Sequence, residues 1–222
     1  MPTLTFKVDK ERDIRNAWEL CNLDTPFLEN EEKKQLDSTY KTLWGKRSFE
    51  ECREEIKLYT EFLYSSGIMD TFKEGVEKTW GKINDEYFNR LERITKTPIC
   101  SNEFTAYTTT VGRCLYNIND FSLIVSIRRP LLQCLRTIGH ELMHLQFHYN
   151  YWDRTEKEIG KEKTADLNES LTILLNLEFG DLWLVEDKGY DSHRSLRKFI
   201  YEEWKKEKDF GKLIESCIGH LK

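Results

Sequence analysis

The sequence has no long apolar run, no excess of basic residues and no closely spaced cysteine pair. Its 222 residues carry a formal net charge of −5, whereas nucleic acids and anionic membrane surfaces require basic patches. No apolar stretch has the length needed to cross a bilayer, and residues 1–10 lack the apolar core of a signal peptide. We therefore expect a cytoplasmic protein without a nucleic-acid or membrane partner.

Cysteine is present but shows no pairing pattern. No two cysteines have the C-x-x-C spacing, and the six are scattered through the chain: Cys21, Cys52, Cys100, Cys114, Cys134 and Cys217. This arrangement is typical of reduced, mostly buried thiols and does not indicate a disulfide framework. Internal repeats and low-complexity tracts are also absent.

Hydrophobic periodicity divides the chain near Pro98. Residues 3–8 alternate apolar and polar side chains like a half-buried strand, and the pattern over about 10–94 is helical. After Pro98 the chain becomes rich in threonine and β-branched residues. Three stretches there have the composition of strands: 104–111, 113–118 and 121–127.

The remaining chain is predicted to be helical again. Pro130 suits the first turn of a helix, because its missing N–H would be unpaired there, and this helix is expected to run to about His148. A polar, charged connection follows. Then come an apolar helix over about 164–179 and two amphipathic helices near 195–206 and 210–221.

These elements predict an α+β fold, mainly helical with a small mixed or antiparallel sheet. We expect a single domain over the whole chain. Its first part, residues 1–97, is mainly helical, and residues 98–222 contain the sheet and the later helices. Trp18, Trp44 and Trp80 are expected in the core, because apolar packing explains them without a ligand.

One short motif lies on the predicted helix that follows Pro130: His140-Glu141-Leu142-Met143-His144. The spacing places both imidazoles on one helical face, where they can ligate one ion. Glu141 is rotated by about 100° from His140 and can reach a water on that ion without becoming a ligand. A chance match in such a chain has odds on the order of one in a hundred, which favours a functional interpretation.

The motif resembles the active-site helix of the zincin metallopeptidases. One zincin branch adds a glycine and a third histidine after H-E-x-x-H, but this chain has Phe147 and Asn150 at those positions, so that branch is not expected. The gluzincin branch takes its third ligand from a glutamate on a later helix, often within an Asn-Glu pair. Asn168-Glu169 occupies such a place on the next predicted helix.

The resemblance implies one Zn²⁺ per chain, held by His140, His144 and Glu169. It also implies a metal-bound water that Glu141 activates for attack on a peptide carbonyl. The expected function is that of a zinc metallopeptidase acting on a peptide or protein.

Other ligand arrangements stay open. Many gluzincins carry, at the position of Ile173, an aspartate that hydrogen-bonds a ligating histidine. Asp166, one turn before Glu169, is the candidate for that role here, and a shifted helix would make it a ligand instead. His148 is a polar neighbour of the site, because three histidines along a straight helix would spread over about 12 Å. Cys100 precedes the motif as in peptide deformylases, but its flanking residues do not match that family.

Two further roles are expected around the metal. Zincins bind an extended substrate along the edge strand of their sheet. The candidates for that edge, with an inner strand as the alternative, are Arg113, Cys114, Leu115 and Tyr116.

The oxyanion formed on the attacked carbonyl requires a donor beside the metal. Tyr190 and His193 are the candidates by position and residue type, with Arg194 as a third choice. Two other functions stay open: a non-catalytic zincin-like protein that binds or regulates, and a metal-dependent hydrolase of a non-peptide amide. The sequence does not indicate the substrate or the oligomeric state.

Overall fold

The structure is a computed structural model that describes residues 1–22 and 48–222. Part of the predicted helical region and the expected core residue Trp44 lie outside these ranges. Trp80 is buried as expected, and Trp18 packs against Phe49 at the edge of a smaller core. The described residues are mainly helical around a small mixed sheet, which confirms the α+β class.

The helices and strands follow the expected order. The N-terminal elements are β1 (Thr3–Val8), α1 (Lys10–Asn22), α2 (Phe49–Ser65), α3 (Ile68–Trp80) and α4 (Asn84–Thr95). The remaining strands are β2 (Glu103–Thr109), β3 (Tyr116–Asn117) and β4 (Ser122–Ser126). The later helices are α5 (Leu131–Ile159), α6 (Lys161–Leu171), α7 (Ile173–Glu178), α8 (Gly180–Trp183), a 3₁₀ turn (Asp191–His193), α9 (Arg194–Lys206) and α10 (Phe210–Leu221). Within the described ranges, no helix is both long and apolar enough to cross a membrane.

The sheet is mixed, with strand order β1-β2-β4-β3. β1 pairs with β2 and β2 pairs with β4 in parallel, whereas the short β3 runs antiparallel to β4. β4 is almost entirely buried, and α5 packs on it. β3 therefore forms one edge of the sheet, close to the helix that carries the motif.

The helix α5 is longer than predicted. It does not end near His148 but continues to Gly160, which adopts a positive φ of 82° after the last helical residue. Thr155 is buried, and Trp152 and Ile159 pack against the core. These residues continue the apolar face of α5 beyond His148. The charged residues of this segment had indicated a solvent-exposed connection between two helices.

The helix predicted over 164–179 is divided into two, α6 and α7. α6 ends at Leu171, and the next residue, Thr172, donates from Oγ1 to the carbonyl oxygen of Glu169 at 2.7 Å. Arg197 donates to the same hydroxyl at 2.7 Å. These hydrogen bonds satisfy the carbonyl oxygen of Glu169 and the hydroxyl of Thr172 at the end of α6. The helix is therefore interrupted just after the predicted ligand Glu169.

The six cysteines, all within the described ranges, form no disulfide, as expected. Four are buried, while Cys100 and Cys114 are partly exposed. Burial raises the pKa of Cys100, Cys134 and Cys217 to about 12. These three thiols therefore stay protonated at neutral pH.

Gly139, directly before the motif, lies against two aromatic rings. The hydroxyl of Tyr87 donates to the carbonyl oxygen of Gly139 at 2.6 Å. A Cβ atom at this position would lie 2.7 Å from Cη2 of Trp183 and 3.1 Å from Cε2 of Tyr87. Glycine is therefore required for the close packing of α5 behind His140.

We expect Gly139→Ala to lower the free energy of unfolding by about 1–3 kcal/mol, because the added methyl group overpacks the core. Urea denaturation of the purified protein measures the change. Gly75→Ala in α3 is the matched control, since a Cβ there has no neighbour within 4 Å. The control should gain up to about 1 kcal/mol from helix propensity. Equal stability of the two variants would contradict the packing role of Gly139.

Candidate metal centre

The helix α5 brings the two motif histidines together. The Nε2 atoms of His140 and His144 are 2.9 Å apart. His144 and Glu141 are buried, and His140 is partly exposed. The four-residue spacing therefore produces the convergent pair that the sequence predicted.

Glu169 completes the group from the neighbouring helix α6. The chain turns at Gly160 and α6 packs on α5, so that the Glu169 carboxylate faces both imidazoles. Its oxygens lie 3.6 Å from Nε2 of His140 and 3.3 Å from Nε2 of His144. These three residues could hold a metal ion, and residues 1–22 and 48–222 contain no other group of three with such geometry.

The donor set fits a four-coordinate zinc ion. Donors at 2.0–2.2 Å from a tetrahedral ion lie about 3.4 Å from one another. The two nitrogens are 2.9 Å apart, Oε1 of Glu169 lies 3.3 Å from His144, and Oε2 of Glu169 lies 3.6 Å from His140. Each of these distances is within about half an ångström of that value, and one ligand atom from each residue lies within 4.8 Å of the others. Two imidazole nitrogens and one carboxylate oxygen are also ligands that zinc accepts.

The other nitrogen of each imidazole is bound from outside the group. Nδ1 of His140 lies 2.9 Å from the Asp187 carboxylate, and Nδ1 of His144 lies 3.0 Å from Oδ1 of Asn168. Each Nδ1 therefore carries the ring hydrogen, which leaves a lone pair on each Nε2. Two lone pairs at 2.9 Å repel each other unless a cation lies between them.

A proton can supply that positive charge when no metal is bound. Burial disfavours charge on His140, but the carboxylates of Asp187 and Glu169 outweigh burial and raise its pKa to about 10. The pKa of Glu169 is correspondingly held far below its usual range: burial opposes this shift, and His144 and His140 outweigh it. The electrostatics of the group thus favour a bound cation.

Asp187 connects His140 to a buried charge network that sequence reasoning missed. It is 1% exposed and contacts Arg136 at 2.7 Å and Arg197 at 3.2 Å. Asn176 fixes its backbone through two hydrogen bonds, at 2.7 and 2.8 Å. Asp187 belongs to the irregular segment after α8, 47 residues from His140, so no local spacing could have indicated it.

Asp166 does not have the role predicted for it. Its carboxylate lies 3.1 Å from Nε2 of His193, whereas Asp187 and Asn168 bind the two ligand histidines. Three residues along a helix correspond to a rotation of about 300° and a shift of about 4.5 Å. Asp166 therefore faces the 3₁₀ turn, and the prediction that it orients or replaces a metal ligand is wrong.

Hydrogen bonds through Asn168 connect His144 to the edge strand β3. Asn168 donates from Nδ2 to the hydroxyl of Tyr116 at 3.2 Å, and that hydroxyl lies 3.0 Å from Nδ1 of His148. His148 stacks on Trp152, with ring centroids 4.4 Å apart. His148 is thus a polar neighbour of the site, as expected, and Tyr116 supports the residue that orients His144.

A cavity of about 250 Å³ opens beside the three candidate ligands. Cys114, Leu115 and Tyr116 line one side of it, as predicted for the edge strand. Arg113 does not line it. The Arg113 guanidinium is held by Glu19 of α1 at 2.6 Å, so the structure does not place Arg113 with the other three candidates at this cavity.

The backbone N–H and C=O of Tyr116 point away from the neighbouring strand β4. Leu115 accepts a hydrogen bond from the N–H of Ile124 at 2.8 Å, and Tyr116 lies opposite Leu123 in the antiparallel ladder. This pattern makes Tyr116 and Leu123 a non-hydrogen-bonded pair. The N–H and C=O of Tyr116 therefore point to the outer side of the edge strand.

The two predicted oxyanion donors have different positions. Tyr190 lines the cavity together with His140 and Glu141. His193 is 6% exposed, lies edge-on to the Tyr190 ring and is outside the cavity lining. Tyr190 therefore stays a candidate for the oxyanion donor, whereas His193 contacts the Tyr190 ring from outside the cavity. Arg194 is exposed and pairs with Asp191.

No protein-family model, curated protein or solved structure matches the chain. The likeness of the motif to the zincins therefore stays a prediction. Cys100, the ligand expected from the deformylase alternative, is outside the metal-binding group.

We expect Tyr116→Phe to raise the zinc dissociation constant about tenfold, because Asn168 loses the hydroxyl that holds it against His144. Competition with a chromogenic chelator measures the constant. Tyr149→Phe, an exposed position on α5, is the matched control and should change it less than twofold. Equal effects of the two variants would show that Tyr116 does not support the metal site.

Asp187→Asn should leave the buried Arg197 and the partly buried Arg136 without the carboxylate that they share. We expect the free energy of unfolding of the metal-free protein to fall by roughly 3 kcal/mol or more, as measured by urea denaturation at neutral pH. Asp181→Asn removes an exposed partner of Arg90 and should cost less than about 1 kcal/mol. A loss at Asp187 as small as that at Asp181 would contradict the buried network.

Proposed function

We propose that the protein is a zinc-dependent metallopeptidase with zinc bound by His140, His144 and Glu169. The observation that carries this proposal is the convergence of those three side chains beside the buried Glu141, in a cavity at the sheet edge. Catalytic zinc sites have three protein ligands and one open position. Among the described residues, no fourth histidine, cysteine or carboxylate joins the group.

Glu141 is suited to move a proton beside this centre. Zinc bound there would act as a Lewis acid that polarises a carbonyl oxygen and makes water more acidic. Burial raises the pKa of the Glu141 carboxyl, despite the two neighbouring histidines. A carboxylate with a raised pKa can accept a proton and return it to a leaving amine.

Tyr190 is the residue that we expect to donate a hydrogen bond to the oxyanion. It lines the cavity on the side of His140 and Glu141, where the attacked carbonyl would lie. Its ring is held edge-on by His193, at 5.7 Å between centroids. The phenol hydroxyl is a neutral donor of the type that stabilises negative charge developing on oxygen.

The shape of the site favours an extended peptide over a small non-peptide amide. A second cavity of about 480 Å³ shares Glu141 and Tyr190 with the first, so the two adjoin beside the ligands. We propose that together they form the substrate groove. The outward N–H and C=O of Tyr116 could pair with a substrate main chain along this groove. The intact H-E-x-x-H motif favours catalysis over a purely binding role.

Peptide hydrolysis by wild type and Glu141→Gln tests the proposal. We expect zinc-loaded wild type to cleave members of a mixed peptide library. Glu141→Gln should keep about one zinc per chain but lose at least about a hundredfold in rate, because the proton acceptor is gone. Glu162→Gln makes the same change at an exposed position on α6 and should stay active.

Two outcomes would contradict the proposal. Equal rates for wild type and Glu141→Gln would mean that the cleavage does not use this site. A zinc-loaded wild type that cleaves no peptide would favour the binding or the non-peptide function.

A further inference from the structure

The surface of α5 that carries the ligand histidines continues beyond the metal group. His148 and Trp152 follow His144 at intervals of four residues. Each such interval turns the helix by only about 40°, so the three side chains occupy neighbouring positions. Trp152 lines the cavity of about 250 Å³ beside the candidate ligands. The unexpected length of α5 therefore brings a tryptophan to the metal group.

The indole of Trp152 is held in place by two contacts. Its ring stacks on the imidazole of His148, with ring centroids 4.4 Å apart and planes inclined by 12°. Its Nε1 donates to the Glu156 carboxylate at 2.7 Å, so the only polar group of the side chain is already bound. Trp152 therefore lines the cavity with fixed, apolar ring surface.

Two smaller apolar side chains line the same cavity from other elements. Leu115 lies directly before β3, and Ala165 lies on α6. Side chains four residues apart share a helical face, so Ala165 is one turn from Glu169 on the side of α6 that faces the metal group. The short side chain of Ala165 leaves space that a larger residue would fill.

Polar groups near this part of the cavity are bonded within the protein. The Tyr116 hydroxyl contacts Asn168 and His148, and Asn168 also binds a ligand histidine. Among the described residues that line the cavity, none is a lysine or an arginine, and the two carboxylates are Glu141 and Glu169 of the proposed centre. A polar or charged side chain bound there would lose water without gaining a new partner.

We infer that this cavity binds an apolar side chain of the substrate, so that the favoured peptides have an aromatic or large aliphatic residue next to the scissile bond. The inference rests on the proposed function. The volume of about 250 Å³ is below the roughly 300–1,000 Å³ of pockets for drug-sized ligands, which fits a single side chain. Trp152 and Ala165 are the specificity-determining residues: the indole supplies apolar contact, and the alanine leaves the space.

Two series of small metal-binding probes test this inference by binding alone. N-acetyl hydroxamates of phenylalanine, alanine, glutamate and lysine carry the side chain of the residue before the scissile bond. Succinyl hydroxamates with the corresponding benzyl, methyl, carboxyethyl and aminobutyl groups carry that of the residue after it. In one series, we expect calorimetric titration of the zinc-loaded protein to show at least tenfold tighter binding of the benzyl probe than of the other three, about 1.4 kcal/mol.

Ala165→Leu tests whether the pocket holds the benzyl group. The larger side chain should weaken the preferred benzyl probe at least about tenfold, because the two groups would overlap, and should change the matching methyl probe much less. Glu162→Leu places the same side chain at an exposed position of α6 and should leave both affinities unchanged. Equal weakening of the two probes by Ala165→Leu would contradict a role of Ala165 in specificity.

Trp152→Ala tests the aromatic wall. We expect the benzyl preference to fall at least about fivefold, because less apolar surface is buried on binding, while the zinc content stays at about one per chain. Tyr149→Ala removes an exposed ring from the same helix and should keep the preference. Ala165→Leu still tests the pocket if Trp152→Ala folds poorly.

The failures of the two proposals are distinguishable. Equal affinity for the benzyl and methyl probes in both series, or a preference for a charged probe, would overturn the apolar pocket and leave the zinc centre in place. A protein that takes up no zinc, or that holds zinc but binds no hydroxamate, would overturn the open metal centre together with the inference.

Discussion

The candidate centre depends on hydrogen bonds to the outer nitrogens of its two histidines. Asp187 binds Nδ1 of His140 and Asn168 binds Nδ1 of His144, so both Nε2 lone pairs face the Glu169 carboxylate. Without these partners, either ring could rotate or exchange its tautomer, and the donor set would be lost. The spacing of the motif places the rings, and the surrounding residues determine which nitrogen each ring presents.

The fold supplies these partners from separate parts of the chain. Asn168 precedes Glu169 on α6, so one helix provides both a ligand and the residue that orients a histidine. Asp187 comes from an irregular segment held by Asn176 and Arg197. The edge strand joins the same system through Tyr116. The sheet edge, the metal group and the buried charge network thus form one connected arrangement.

Sequence reasoning predicted the parts of this arrangement that are encoded locally. The pair His140 and His144 follows from helical geometry, and Glu169 followed from the likeness to gluzincins. Helical and strand periodicity gave the element order. The likeness to zincins made residues 113–118 the candidate edge strand, with an inner strand as the alternative. Pairing along the sheet could not be predicted as well, because a short alternating strand such as β1 does not specify its parallel partner.

The features that sequence reasoning missed arise from tertiary contacts. Asp187 has no fixed spacing from the motif, and Asp166 was chosen because it lies near Glu169 along the chain. Its actual partner is His193, which faces a different side of α6. The requirement for glycine at position 139 likewise comes from Trp183, a residue distant in sequence. Such contacts are defined only when the helices have packed.

X-ray absorption at the zinc edge tests the central claim most directly. For the purified, zinc-supplied protein, the account predicts about one zinc per chain, with nitrogen and oxygen ligands at roughly 2.0–2.1 Å and two imidazoles in the scattering pattern. Glu169→Gln should lower the zinc content sharply. Absence of zinc after resupply, or a sulfur ligand at roughly 2.3 Å, would contradict a centre built from His140, His144 and Glu169.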